Sequence, residues 1–144
     1  PEIPLAVEFA GGLRLEGVTA KPGGVKPGEA VRLRYIWRIP PPERERRQWA
    51  AFAHFSAGAV RFQDDHNLPD AAPHAALFDA EAPGLFFEDR TVVVPPDAPA
   101  GPVELAIGVY DNATRARLAL KTSRPTRDRA ALARVFDVIK TDTP

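Results

Sequence analysis

Residues 93–118, VVPPDAPAGPVELAIGVYDNATRARL, constrain the fold more than any other part of the chain. Val93 and Val94 end an apolar run, and a PPDAPAG turn follows. Val103, Leu105, Ile107 and Val109 then alternate with Glu104, Ala106, Gly108 and Tyr110, and a polar turn at residues 111–114 closes the unit. Successive side chains of an extended strand point to opposite faces, so this alternation describes a strand with one buried and one wetter face. Strand, tight turn, half-buried strand and turn is the pattern of an antiparallel β-sandwich.

The same period returns upstream. Val31, Leu33, Tyr35, Trp37 and Ile39 alternate with Arg32, Arg34, Ile36 and Arg38. The first set should face the core, with Trp37 as its large central plug, and the arginines should face solvent. Residues 49–55 are apolar on both faces, which suits a strand in the middle of a sheet. Further strands are expected at residues 5–9 and 13–20, joined at Gly11-Gly12, and at 60–63, 85–94, 117–121 and 135–140. Residues 64–83 read as a long irregular loop with a short helix near 75–78, and 40–48 as a charged connection with a helical turn. One more brief helix is expected at 127–134. Most of the 16 prolines fall between the apolar runs, where a residue without an N–H does least harm to a ladder. The expectation is one all-β domain over residues 1–144, an immunoglobulin-like antiparallel β-sandwich of about seven or eight strands.

Composition removes several function classes. A chain of 144 residues, 44% hydrophobic, is long enough to bury a core without staples. Nineteen basic residues balance nineteen acidic ones, which argues against a nucleic-acid partner and against a polybasic membrane anchor. Cysteine is absent, so no disulfide, thiolate nucleophile or blue-copper centre can form. No apolar run approaches the roughly 20 residues of a transmembrane helix. Methionine is absent even at position 1, so the sequence is expected to be a fragment or processed form of a longer exported protein. The preference for arginine over lysine, with frequent alanine and proline, points to a GC-rich bacterial source.

Motifs along residues 28–138 resemble a bacterial domain family. They are PGE before a Tyr-x-Trp strand (Pro27, Gly28, Glu29, Tyr35, Trp37) and a Phe-x-His strand (Phe52, His54). A glycine turn with a trailing Gln-x-Asp follows (Gly58, Gln63, Asp65), then the turn at 95–101 and GVYDNAT at 108–114. The series closes on Leu132, Arg134, Val135 and Val138. Together they resemble the immunoglobulin- or fibronectin-III-like domains appended to bacterial multi-span membrane glycosyltransferase-like proteins. The resemblance implies an extracytoplasmic, periplasmic or envelope, accessory role. The chain departs from the family pattern at Arg115, where glycine is usual, and in lacking a tryptophan in residues 78–84.

Candidate chemistry is sparse. His54, His66 and His74, with Asp64 and Asp65, could ligate zinc or copper as a small metal-binding protein or metal-dependent enzyme, though a histidine on a sandwich strand more often hydrogen-bonds structurally. The carboxylate pairs Asp64-Asp65 and Glu88-Asp89 are sequence neighbours, and neighbours on a strand point apart, so neither pair can flank a glycosidic bond. Neither Ser56 nor Ser123 lies in a nucleophile elbow, and no nucleotide-binding loop is present. Asn112-Ala113-Thr114 forms a glycosylation sequon that reads better as a turn.

Two binding surfaces remain. Arg32, Arg34 and Arg38, continued by Arg44, Arg46 and Arg47, could take an anionic polymer or a carboxylated glycan, although such a stripe also serves as a solvated strand face. Trp49, Phe86, Phe87 and Tyr110 could stack sugars, or serve the core. No catalytic residue and no cofactor is assigned. The expected function is a non-catalytic accessory or interaction domain of a bacterial cell envelope, binding a glycan or another envelope protein through loops at one end or through residues 64–83.

Overall fold

The computed structural model describes residues 2–20, 23–39, 48–68 and 84–140. They form eleven strands: β1 (Glu2–Phe9), β2 (Arg14–Ala20), β3 (Ala30–Arg38), β4 (Trp49–Ala57), β5 (Val60–Gln63), β6 (His66–Asn67), β7 (Leu85–Val93), β8 (Gly101–Asp111), β9 (Leu120–Lys121), β10 (Thr126–Arg127) and β11 (Ala130–Val138). One antiparallel sheet has five strands in the order β7-β3-β2-β1-β9. The other has six, in the order β10-β11-β8-β4-β5, with β6 also paired to β4. The molecule is thus all-β and sandwich-like.

The strands number eleven rather than seven or eight because the chain also pairs over short stretches. β6, β9 and β10 have two residues each and leave little hydrophobic period to read. Segment 117–121, read as one strand, divides: Arg117 bridges back to Tyr110, whereas Leu120 pairs with Phe9 in the other sheet. The chain crosses between the layers there. No helix forms at 127–134. Asp128 and Arg129 both take positive φ, and the turn they make returns the chain as β11 beside β8. The alanines of that segment favour a helix locally, but Ala131, Ala133 and Val135 bury themselves against the core at strand spacing. The connection at 40–47 and the loop from residue 69 to 83, with their expected helical turns, lie outside the described residues.

The core lies between the sheets. Leu5, Val7, Phe9, Leu15, Leu33, Tyr35 and Trp37 from the first sheet meet Ala51, Ala53, Phe55, Val103, Leu105, Ile107 and Val109 from the second in one cluster. Trp37 is fully buried and tilts against Phe9 and Tyr35. Val25 stitches the layers together: its N–H donates to the Asp137 carbonyl at 2.9 Å, and its own carbonyl accepts from Ile139 at 3.0 Å. Among the described residues no helix is long and apolar enough to cross a membrane.

The turn after β8 is held by Asp111, whose Oδ1 accepts the N–H of Ala113 at 2.7 Å. The Arg115 N–H closes it on the Asp111 carbonyl at 2.7 Å. Arg115 has φ +64°, a left-handed conformation at the position where the resembled pattern carries glycine. A left-handed L-residue costs about 1–2 kcal/mol, and glycine gives back part of that relief as unfolded-state entropy. Arg115→Gly is expected to raise stability by about 0.5–1 kcal/mol in urea unfolding. A loss would mean that the arginine side chain itself holds the turn.

Candidate functional site

Two polar constellations stand out, one between the sheets and one on the outer face of the six-stranded sheet. The inner one starts from register. Tyr35 on β3 faces Glu88 on β7, and Leu33 faces Arg90. Inward alternation therefore carries Glu88 into the core, only 8% exposed, beneath the fully buried ring of Trp37. The indole Nε1 donates to Glu88 Oε1 at 3.1 Å, and His66 Nε2 lies 2.8 Å from the same oxygen.

His66 arrives from the opposite sheet. β5 and β6 run end to end along the free edge of β4, and Asp64-Asp65 forms the kink between them. Asp65 Oδ1 substitutes for a ladder carbonyl by accepting the Ala53 N–H at 3.2 Å. Asp64 turns inward, where Arg90 grips its carboxylate through Nε at 2.9 Å and a terminal nitrogen at 2.7 Å. Its backbone carbonyl lies 2.9 Å from His66 Nδ1. A carbonyl can only accept, and Glu88 Oε1 already accepts from Trp37. Nδ1 therefore carries a proton, and a second proton on Nε2 makes His66 an imidazolium paired with Glu88, the form that its raised pKa favours. Burial pulls the His66 pKa down, but the hydrogen bond and charge of Glu88, with the Asp64 carbonyl, outweigh it and leave the pKa raised. The Tyr35 hydroxyl is buried beside this network with no hydrogen-bond partner among the described residues. Burial first, then the charges of Asp64 and Glu88, push its pKa up.

The outer constellation is a cleft of 530 Å³ on the far side of β4. Its floor is shaped by small residues: Phe52 pairs across the ladder with Gly108, and His54 with Ala106. Phe52, Ala106 and Ala130 form a small buried cluster of their own. The guanidinium of Arg117 lies 4.1 Å above the Phe52 ring and donates to the Asp128 carbonyl at 2.8 Å. Arg61 from β5 and Arg127 from β10 stand over the same cleft, with Ser56 and Gln63. Arg127 pairs with Glu104 at 3.0 Å, both exposed, whereas Arg61 and Arg117 have no carboxylate partner among the described residues.

The expected site residues fall elsewhere. Arg32, Arg34 and Arg38 share the outer face of the five-stranded sheet, as their spacing requires. Two of them are engaged: Arg34 pairs with Asp89 through two bonds of 2.7 and 3.0 Å, and Arg38 lies 3.6 Å from Glu16. Trp49 and Phe86 are buried rather than offered as platforms. Phe87 is exposed, under Arg34, on the sheet face away from Tyr110. His54 and His66 occupy opposite faces of the six-stranded sheet. His54 packs on Phe52 and lies 3.4 Å from Asp65, while His66 points between the layers. His74, Arg44, Arg46 and Arg47 lie outside the described residues. Among the described residues no group of three or more His, Asp or Glu gathers in a way that could hold a metal ion.

Sequence reasoning missed Arg61, Arg117 and Arg127, which come from three separate segments. The usable signal was the small outward set of β8, Ala106 and Gly108, opposite large residues of β4. No protein-family model and no curated protein matches the chain.

Proposed function

We propose that this chain is a non-catalytic interaction domain of a bacterial cell-envelope protein, held outside the cytoplasm, that takes a glycan or another envelope protein on the outer face of its six-stranded sheet. The strand order favours an immunoglobulin-like sandwich. β2, β3 and β7 stand in the places of strands A, B and E, and β4, β8 and β11 in those of C, F and G, with β1 added outside. A fold of this kind hosts many functions, so the functional weight falls on the cleft. The single observation that carries the reading is that cleft: three arginines with a serine hydroxyl and a glutamine amide, mounted on paired strands and one tight turn. Its size falls within the about 300–1,000 Å³ common for ligand sites.

The test is amide NMR on the domain, titrated with a panel of neutral and acidic oligosaccharides and with soluble ectodomains of envelope proteins. Saturable shifts are expected at Arg61, Gln63, Ala106, Arg117 and Ala130. Shifts confined to the Arg32–Arg34–Arg38 face, or none with any member of the panel, would overturn the assignment.

A further inference from the structure

We infer that the ligand of this cleft is an anionic saccharide, one whose sugar rings carry carboxylate or phosphate groups. The inference rests on the reading of the cleft as a binding site and adds the ligand's chemistry. The whole chain has no net charge. The cleft is different: among the described residues Arg61, Arg117 and Arg127 line it against Asp128, with the Glu104 carboxylate paired to Arg127 beside it and Asp65 behind His54. Positive charge is thus concentrated at one concavity of a neutral molecule, where it can steer and hold an oxyanion. A guanidinium meets a carboxylate or phosphate through two parallel N–H donors.

The three arginines differ in readiness. Arg117 is held flat, its guanidinium over Phe52 and one terminal nitrogen on the Asp128 carbonyl, so little rotamer freedom remains to be lost on binding. Arg61 has no partner among the described residues and can swing onto the ligand. Arg127 is tied to Glu104 only by an exposed pair, which an incoming oxyanion can replace at small cost.

Two observations favour a saccharide over an acidic peptide. The floor strands β4 and β8 are paired on both sides, so an extended peptide finds no open ladder over the floor. What the cleft does present beyond charge is the Ser56 hydroxyl and the Gln63 amide, which suit the hydroxyls of a sugar ring.

The experiment is isothermal titration calorimetry of the intact chain with five probes: trigalacturonate, its neutral methyl ester, a 6-phosphorylated mannotriose, unmodified mannotriose and a triglutamate peptide. At low salt the trigalacturonate, the phosphotriose or both should bind at least tenfold more tightly than their neutral counterparts, and affinity should fall as salt rises. Which of the two binds identifies the anion. Arg61→Ala and Arg117→Ala should each weaken that binding about tenfold. Arg34→Ala, on the other sheet, should leave it unchanged; circular dichroism confirms that each variant is folded. Equal binding of an acidic sugar and its neutral counterpart overturns the anionic assignment and leaves the site standing. Triglutamate binding as tightly as the acidic sugars overturns the saccharide. Binding of none of the five overturns the inference, and the site itself then rests on the NMR titration with envelope proteins.

Discussion

Glu88→Ala is expected to destabilise the protein by about 2–4 kcal/mol in urea unfolding near neutral pH, because it removes the buried acceptor that Trp37 and His66 share. His66 would lose the carboxylate that holds its pKa up, so burial and Arg90 would strip its second proton and leave Nε2 without a partner, in a position where its side chain is only 7% exposed. The Trp37 indole would lose its acceptor in the same step. Replacing the whole pair is a different matter. His66→Phe combined with Glu88→Leu removes both charges, and it should recover the part of the loss that belongs to the pair, since buried ion pairs seldom outdo a well-packed apolar substitute, while the Trp37 N–H still lacks its acceptor. Additive losses in the double variant would show that the two residues do not act as a pair.

The same pair sets a pH dependence with a definite sign. The folded-state pKa of His66 is raised above its unfolded value of about 6.5. Its contribution to stability is therefore complete below about pH 6.5 and is lost as pH rises through the raised value. The groups around the ring are Glu88 and Arg90 from β7, Asp64 from the β5–β6 kink and Tyr35 from β3. In Glu88→Gln, burial and Arg90 act without the opposing carboxylate, so the decline should vanish. Stability of the native protein that stays flat or climbs above pH 6.5 would refute the imidazolium assignment.

This network shows where sequence reading stops. The alternation Val31, Leu33, Tyr35, Trp37 named the inner face of β3 correctly, because burial enforces a period of two. In the sequence Glu88 and Asp89 are a neighbouring carboxylate pair. The strand sends one inward to Trp37 and His66 and the other outward to Arg34. Glu88 gains its role from lying opposite Tyr35, a register set by packing along two whole strands and not by local residues. The arginines divide in the same way. Arg32, Arg34 and Arg38 form a visible stripe because they share one strand, yet the two with the closest carboxylates are drawn into pairs by β2 and β7. Arg61, Arg117 and Arg127 form no pattern in the sequence and meet only because β5 turns back beside β4, Arg117 bridges back to Tyr110 on β8, and β10 turns into β11, the other neighbour of β8.

The floor between those flanks supplies the second large effect. Gly108→Ala is expected to cost about 1–3 kcal/mol, although alanine adds a single carbon and the backbone there is ordinary strand. That carbon would overlap the edge of the Phe52 ring and lie 2.8 Å from the Arg129 carbonyl. The carbonyl belongs to a turn whose two central residues already hold positive φ, so it has little room to retreat. The ring must move instead, and it carries the Arg117 guanidinium on its outer face. Gly108→Ala should therefore reduce both the urea midpoint and the affinity for whichever acidic trisaccharide binds. A second substitution separates the two contacts: adding Phe52→Leu makes space at the ring but none at the carbonyl. If the ring is the main obstacle, the double variant regains stability while its affinity stays low, because Arg117 has lost its stacking partner. If stability does not return, the Arg129 backbone sets the limit, and the requirement for glycine belongs to the β10–β11 turn.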